Sequence, residues 1–468
     1  MGTISSAFNL MSQALEADQA ALNVTANNVA NANTPGYTRQ TPDWQENPPV
    51  ELGGMSYGTG ATETGSTSQR DRVLEERLDQ QQQLASSSGT RLTALNTMET
   101  LFTPNSGASG SNAGDIGSDI SSFFNSFSSL EANPTNNALR EEVLSSASIL
   151  AGDVSGAAAR LNAQRAALDQ ETGGVIGQVN SLTQTIAQLN LEIQSTSPNA
   201  DAGALEDQRQ QDLSQLSKLI GINQIRTEDN GLSVTTASGQ LLVSQGQSFE
   251  ITTGTAGGVT HFSAGGTDIT AELAAGGGQL GGYLTARDSD IPNALASLDQ
   301  LAYGIATAVN AQNGAGLDLN GASGANIFAA PAAVGGSAAA MCVTMTDPAG
   351  IAAAATGQGT GDNSNAVAMA DLAGQAIVGG QTPINYYSNF VSTLGATVNQ
   401  VQTENAAQNA SVSQLQSQRD ALSSVNLNDE AVAMTTLERS YQAAAQVFTM
   451  LDSIMASAVN LGVQTAVS

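Results

Sequence analysis

The apolar residues of this chain fall on helical stripes at both ends and lose that pattern in the middle. Near the N-terminus, Ile4, Phe8, Met11, Leu15, Leu22 and Val29, with Asp18 and Thr25 filling the series, step four and three residues apart over about Thr3 to Asn31. Near the C-terminus, Met434, Leu437, Tyr441, Ala444, Phe448, Leu451, Met455 and Ala458 step three and four without exception. Such spacing is the seam of a helix that packs on another helix. Full burial of the C-terminal seam is worth on the order of 10–20 kcal/mol. Ordering its backbone costs about 1–2 kcal/mol per residue over about thirty residues. A lone helix of this kind stays marginal. The terminal pair is therefore expected to be the least ordered part of a free chain and to order when copies pack. Periodicity leaves a second reading open, an ordinary antiparallel helix pair docked on its own domain.

Between the ends the pattern predicts helix over about Arg70 to Phe102 (Val73, Leu74, Leu78, Leu84, Leu92, Leu95, Met98), Ile116 to Leu130, Asn136 to Gln170, Val175 to Thr196 and Leu205 to Ile220. Val175, Val179, Leu182, Ile186, Leu189 and Ile193 form another four-three seam. A Gly/Ser/Asn loop covers 103–118, and Pro198-Asn199-Ala200-Asp201 breaks the long helix. Thr41 to Ser68, rich in Pro, Gly, Thr and Ser, reads as extended or short-stranded. From Ile222 short β-like runs turn at Asp229-Asn230-Gly231 and Ser238-Gly239-Gln240, strong hairpin signals. One helix, about Ile291 to Asn313, interrupts that region. Helices then return over Asn363 to Ile377, Ile384 to Leu422 and Asp429 to Leu461.

The order helix, helices, β insert, helices, helix predicts a mainly α, nested, discontinuous fold. A terminal helical coiled-coil pair is expected from residues 1–68 plus 423–468. A helical bundle domain is expected from 69–221 plus 361–422, and an inserted β-rich domain with one helix from 222–360. Pro35-Gly36 turns the chain out of the first helix, with Tyr37 packed under the corner. Asn426 is a good N-cap for the last helix, with Asp429 and Glu430 adding negative charge to its first turn.

Composition narrows the functions. The 468 residues carry a formal net charge of −28, and Lys218 is the single lysine. A phosphate-binding surface needs clustered positive charge, so neither nucleic acid nor an anionic membrane is expected as a partner. No stretch reaches the roughly 20 apolar residues that span a bilayer. Met1, Gly2 and Ser6 fit the short myristoylation pattern, but no polybasic second anchor follows. The N-terminus also lacks the features of a cleavable signal. Cys342 is the one cysteine and is expected to be buried between Met341 and Val343. His261, the one histidine, is expected on the surface. Asp318-Leu319-Asn320-Gly321 resembles half a calcium loop without the closing Glu and reads as a turn. No nucleophile elbow, Walker lysine loop or His-Glu-x-x-His occurs. No catalytic residues, metal or cofactor are expected.

The run Asn27-Asn28-Val29-Ala30-Asn31-Ala32-Asn33-Thr34-Pro35-Gly36-Tyr37-Thr38-Arg39-Gln40 resembles the N-terminal signature of the flagellar rod, hook and hook-associated axial proteins. Its Tyr-x-Arg-Gln ending is most similar to the hook-associated branch at the hook–filament junction. Five further stretches follow the order of that branch: Leu205 to Arg209 with Leu216 to Ile222, Gly239 to Val243, Leu298 to Ala302 with Val309-Asn310, Gly361 to Ala366, and Val425 to Ala431 with Tyr441 to Ala445. Gln312 and Gln210 depart from the branch's usual His and Asp. The chain is short for the branch, which implies one outer domain.

The resemblance implies a secreted structural protein of motility and flagellum assembly, exported by the flagellar type III apparatus without a cleaved signal. It implies a ring of about eleven copies, hook subunits below, a second junction protein above and a cytoplasmic export chaperone on the C-terminal helix. The expected interface residues are Phe8, Met11, Leu15, Leu22, Asn27, Asn28, Asn31, Thr34, Pro35, Gly36, Tyr37, Asn426, Leu427, Glu430, Met434, Leu437, Tyr441, Gln442, Phe448, Leu451 and Met455. Amides between Asn23 and Asn33 are expected to join stacked subunits, or else to cap their own helix. The alternatives are another axial subunit, of hook or distal rod, and a secreted adhesin-like protein.

Overall fold

The computed structural model describes residues 2–52, 54–102, 115–197, 201–228 and 230–464. Most of the expected 103–118 loop, residues 198–200 of the helix break and Asp229 of the first hairpin turn lie outside the described residues. So do the side chains of Ile4 and Ala458, which were expected on the terminal seams.

The chain begins with α1 (Gly2–Asn31) and leaves it through two nested hairpins: β1 (Gln40–Glu46) pairs with β4 (Ala61–Ser68) around β2 (Val50–Leu52) and β3 (Met55–Tyr57). Asp71 then accepts from the backbone N–H groups of Val73 and Leu74 and starts α2 (Arg72–Glu99). Next come α3 (Ile116–Ala132), α4 (Asn137–Thr196) and α5 (Ala204–Leu219). An antiparallel four-stranded meander follows: β5 (Ile222–Arg226), β6 (Leu232–Thr236), β7 (Leu241–Ser244) and β8 (Gln247–Ser248). A three-stranded sheet holds β9 (Thr252–Ala256), β10 (Val259–Ala264) and β11 (Thr267–Asp268). Then α6 (Thr270–Gly276), α7 (Gly278–Thr285) and a π-helical turn (Ala286–Asp290) lead into α8 (Ile291–Ala315). After the small pair β12 (Gly316–Leu317) and β13 (Ala354–Ala355) the chain closes with α9 (Ser364–Asp371), α10 (Pro383–Ser423) and α11 (Leu427–Gln464).

Asn230 takes a positive φ of 56° between β5 and β6, a conformation asparagine tolerates, as the Asn-Gly signal predicted. Where α5 gives way to β5, a Cβ on Gly221 would lie 1.8 Å from the carbonyl oxygen of Gly276, so no side chain fits there.

The buried side chains form two cores. The first gathers Phe123, Phe127 and Leu130 of α3, Val143, Leu150 and Leu161 of α4, Leu298 and Ile305 of α8, and Tyr387 and Leu394 of α10. The second joins Val175, Val179 and Ile186 of α4 and Leu216 of α5 to Val234, Val243 and Phe262 of the sheets and Leu280 of α7. Residues expected in one insert thus pack in two places: the strands on the second core, α8 and Ile327, Phe328 and Ile351 in the first. Neither core contains a residue of α1 or α11.

The mainly α, nested architecture matches expectation, and four details differ. Helices expected at Asn136–Gln170 and Val175–Thr196 are one helix of 60 residues running through Gly173-Gly174. A helical glycine costs about 1 kcal/mol, and burial on both sides, one stripe in each core, exceeds that. Val29 is exposed while its neighbour Asn28 is buried. Val73 and Leu84 are exposed because the buried face of α2 runs through Leu74, Leu78 and Gln82. Cys342 is exposed, its neighbour Met341 taking the buried position. The Asp318 loop is a turn, with Asp318 Oδ1 accepting from the N–H groups of Asn320 and Ala322.

Candidate assembly interface

The C-terminal helix packs on α1, and the two helices run antiparallel within one chain. Phe8 stacks on Phe448 with ring centroids 4.3 Å apart. At the other end Asn28 meets Glu430. Met11, Leu15, Leu22, Met434, Leu437 and Leu451 are half-buried along this contact, whereas Tyr441, Gln442, Met455 and Leu427 are exposed. No apolar side chain of α11 is fully buried among the described residues.

The Asn28 end is a closed polar node. Tyr37 donates its hydroxyl to Asn28 Oδ1 at 2.8 Å, and the Gln40 N–H donates to the same oxygen at 3.0 Å. Asn28 Nδ2 donates to the Gln40 carbonyl at 2.8 Å and to Glu430 Oε2 at 3.1 Å. The other Glu430 oxygen accepts from Arg39 Nε at 2.6 Å, while the Arg39 N–H donates to the Ser423 carbonyl at 2.9 Å. Every polar atom of the Asn28 amide is used, as burial demands. Burial, with Asp207 and Glu430 nearby, pushes the Tyr37 hydroxyl up to about 12, so it remains a donor at any physiological pH.

Local bonds use Asn27 and Asn31 of the Asn-rich run. Asn31 Nδ2 donates to the Asn27 carbonyl and side chain at 3.0 and 2.6 Å, and Thr34 donates to Asn31 Oδ1 at 3.2 Å. Gly36 takes φ 81° at the corner after the exposed Thr34 and Pro35. Asn426 caps α11, its Oδ1 accepting from the Asn428 N–H at 3.0 Å. The structure therefore uses Asn27, Asn28 and Asn31 inside the chain, and leaves Asn23 and Asn33 exposed.

Behind the corner lies a second node that sequence reasoning missed. Arg70 pairs with Asp207, with Glu206 at 3.2 Å and with Glu75 at 3.5 Å, and Arg72 reaches Glu206 at 3.0 Å. The Thr38 N–H donates to Asp207 at 3.1 Å, which fastens the corner to α5. The only available signal was the close run Arg70, Arg72, Glu75, whose α5 partners stand 134–137 residues away in sequence. A cavity of about 270 Å3 opens beside it, lined by Pro35, Tyr37, Glu75, Asp79, Asp207 and Arg419 among others.

Burial raises the Glu75 carboxyl to about 7, with Arg70 opposing and Asp79 and Asp207 adding to it. Burial likewise raises Asp79 to about 6 against hydrogen bonds from Gln224 and Gln210. Folded-state values above the ordinary carboxyl range mean that the folded chain holds more protons. Stability contributed here is present at the acid side and falls as pH rises from about 4.5 through about 7. The unfolding midpoint is expected to drop across that window and to flatten in Glu75→Gln; an unchanged slope in Glu75→Gln contradicts this assignment.

Among the described residues no three of His, Cys, Asp and Glu gather as metal ligands, and no helix is long and apolar enough to cross a membrane. His261 lies on β10, the central strand of its three-stranded sheet, with Nδ1 2.8 Å from Asp268.

The two ends define the class of protein. Residues 8–38 match the family described as flagella basal body rod protein, and residues 416–461 match the C-terminal family of the flagellar basal body rod FlgEFG proteins. Between them, residues 95–328 match the flagellar hook-associated protein FlgK helical domain, and the chain belongs to the FlgK family of flagellar hook-associated proteins. It is 27% identical to flagellar hook-associated protein 1 of Bacillus subtilis, covering 96% of each chain. It is 26% identical to flagellar hook-associated protein 1 of Salmonella typhimurium, covering 98% of this chain and all of that one. The structure of the flagellar hook junction protein FlgK from Burkholderia pseudomallei shares the fold, with a TM-score of 0.66 at 18% identity over 75% of this chain and 100% of that one.

Proposed function

We propose that this chain is a structural subunit of the bacterial flagellum that forms the hook–filament junction, the ring on which the filament assembles. One observation carries the reading. α11 has a second apolar stripe, Val432, Ala443, Val447, Met450 and Ile454, displaced about 100° from the seam that meets α1. Val432 is 67% exposed, Met450 56% and Ile454 51%. A helix that spends one stripe on α1 and holds a second in solvent is built for a further neighbour.

In this reading copies close a ring of about eleven, with hook subunits below and a second junction protein above. The exposed stripe also suits a cytoplasmic export chaperone before assembly, since a chaperone that covers α11 keeps the stripes from pairing early. The subunit then leaves the cell through the flagellar export apparatus without a cleaved signal. Its role is structural and not enzymatic.

The reading is tested by the double variant Met450→Asp and Ile454→Asp. Both side chains lie off the α1 seam, so the free subunit is expected to keep its fold and helix content. Cells carrying it are expected to shed filament protein into the medium and to lose swimming. Full motility with normal filament attachment sinks the proposal.

A further inference from the structure

The chain holds one tryptophan and is poor in aromatic residues, 4% in all, yet Trp44 is 47% exposed. Its setting on the β1–β4 hairpin is specific. One face of that hairpin lies on α1: Asn47 donates Nδ2 to Gln13 Oε1 at 3.1 Å and accepts from Thr62 on Oδ1 at 2.5 Å. Nearby Gly60 approaches Leu10 so closely that a Cβ would lie 2.6 Å from its Cδ1. Strand alternation puts Trp44 and Glu46 on one side of β1 and Gln45 on the other. Directly across from Trp44 in the register stands Glu63. The half-exposed indole thus lies between two carboxylates, one two residues along and one on the partner strand. At the far end of the same hairpin unit, Val50 and Tyr57 are cross-strand partners and 48% and 50% exposed.

The charge of this unit is one-sided. Residues 40–69 contain Asp43, Glu46, Glu51 and Glu63 and no lysine or arginine. An aromatic face flanked by carboxylates attracts a planar delocalised cation, through the ring quadrupole on one side and charge-assisted hydrogen bonds at the edges. We propose that the exposed indole edge of this hairpin, with Glu46 and Glu63 beside it, docks an arginine side chain presented by a partner protein. Isologous pairing of two copies through this face is disfavoured, because it would bring the same carboxylates together. A partner strand with arginines two residues apart fits best, one stacking on Trp44 and the next reaching Glu46. The inference does not depend on where in the flagellum the subunit sits.

Trp44 reports on the site by itself, because no other tryptophan contributes to fluorescence. The full chain is titrated at physiological salt with a short Thr-Arg-Thr-Arg peptide and with its lysine and glutamine versions. Binding is followed by fluorescence and, for variants, by calorimetry. The arginine peptide is expected to shift Trp44 emission saturably, the lysine peptide to bind more weakly, and the glutamine peptide not to bind. Trp44→Leu is expected to weaken the arginine peptide about fivefold. Glu46→Gln with Glu63→Gln is expected to weaken it by a similar factor while the Trp44 spectrum of the free chain stays unchanged. Unaltered affinity in both variants means attraction to the acidic chain as a whole and overturns the proposal. So does a Trp44→Leu change that leaves peptide binding intact but dissociates a dimer seen by sedimentation, which would make a second copy the occupant.

Discussion

Glu430→Ala is expected to release the terminal helix pair while both cores stay folded. Glu430 is 1% exposed and accepts from Arg39 Nε and from Asn28 Nδ2. Its removal leaves one partly exposed guanidinium and one buried amide N–H without their acceptor. Breaking a fully buried pair costs about 3–5 kcal/mol. The Arg39 side chain is 34% exposed, so water recovers part of that, and about 2–3 kcal/mol is the reasonable magnitude. The loss is local, because neither core includes a residue of α1 or α11. Hydrogen exchange is the suitable measurement: protection across 2–31 and 427–464 is expected to fall about 30- to 100-fold while α3, α4 and α8 keep theirs. Glu430→Gln, which retains an acceptor, is expected to lose less. Equal protection in Glu430→Ala and the parent chain shows that the node does not hold the ends.

Much of this arrangement is legible in the residues. The α11 seam, the Pro35-Gly36 corner, the Asn426 cap and the Asn-Gly turn all depend on interactions within a few positions, and periodicity or turn chemistry exposes them. Where the determinant is distant, the reading fails in a systematic way. Apolar spacing favours Val29, but the buried stripe of α1 is Ala17, Ala21, Thr25 and Asn28, polar toward its end because Gln40 and Glu430 wait there. Nothing local marks Asn28 from Asn27, since the distinguishing partner stands 402 positions later. Gly173-Gly174 reads as a break because propensity counts the glycines and not the two cores that grip α4 on either side. The Arg70 node is invisible for the same reason: Glu206 and Asp207 come from another helix.

The nodes and the seams together make a subunit with a division of labour. The two cores hold the body together, and the ends stay outside both of them. Asn28, Tyr37, Arg39 and Glu430 join α1, the corner and α11, while Thr38 and Arg70 fasten that corner to Asp207 of α5. The outer stripe of α11 stays in solvent, where the proposed neighbour would meet it.

Deletion of residues 429–468 tests the central claim most directly. It removes Glu430 and nearly all of α11, whose 38 residues touch α1 and the corner but enter neither core. The truncated chain is expected to be monomeric, to retain the cooperative unfolding of its body, and to lose helix in α1 as well as the deleted segment, since Phe8 then loses Phe448 and Asn28 loses Glu430. Cells that supply only this chain, delivered to the junction or not, are expected to bear hooks without attached filaments. Filaments attached normally to hooks made with the truncated chain contradict the account.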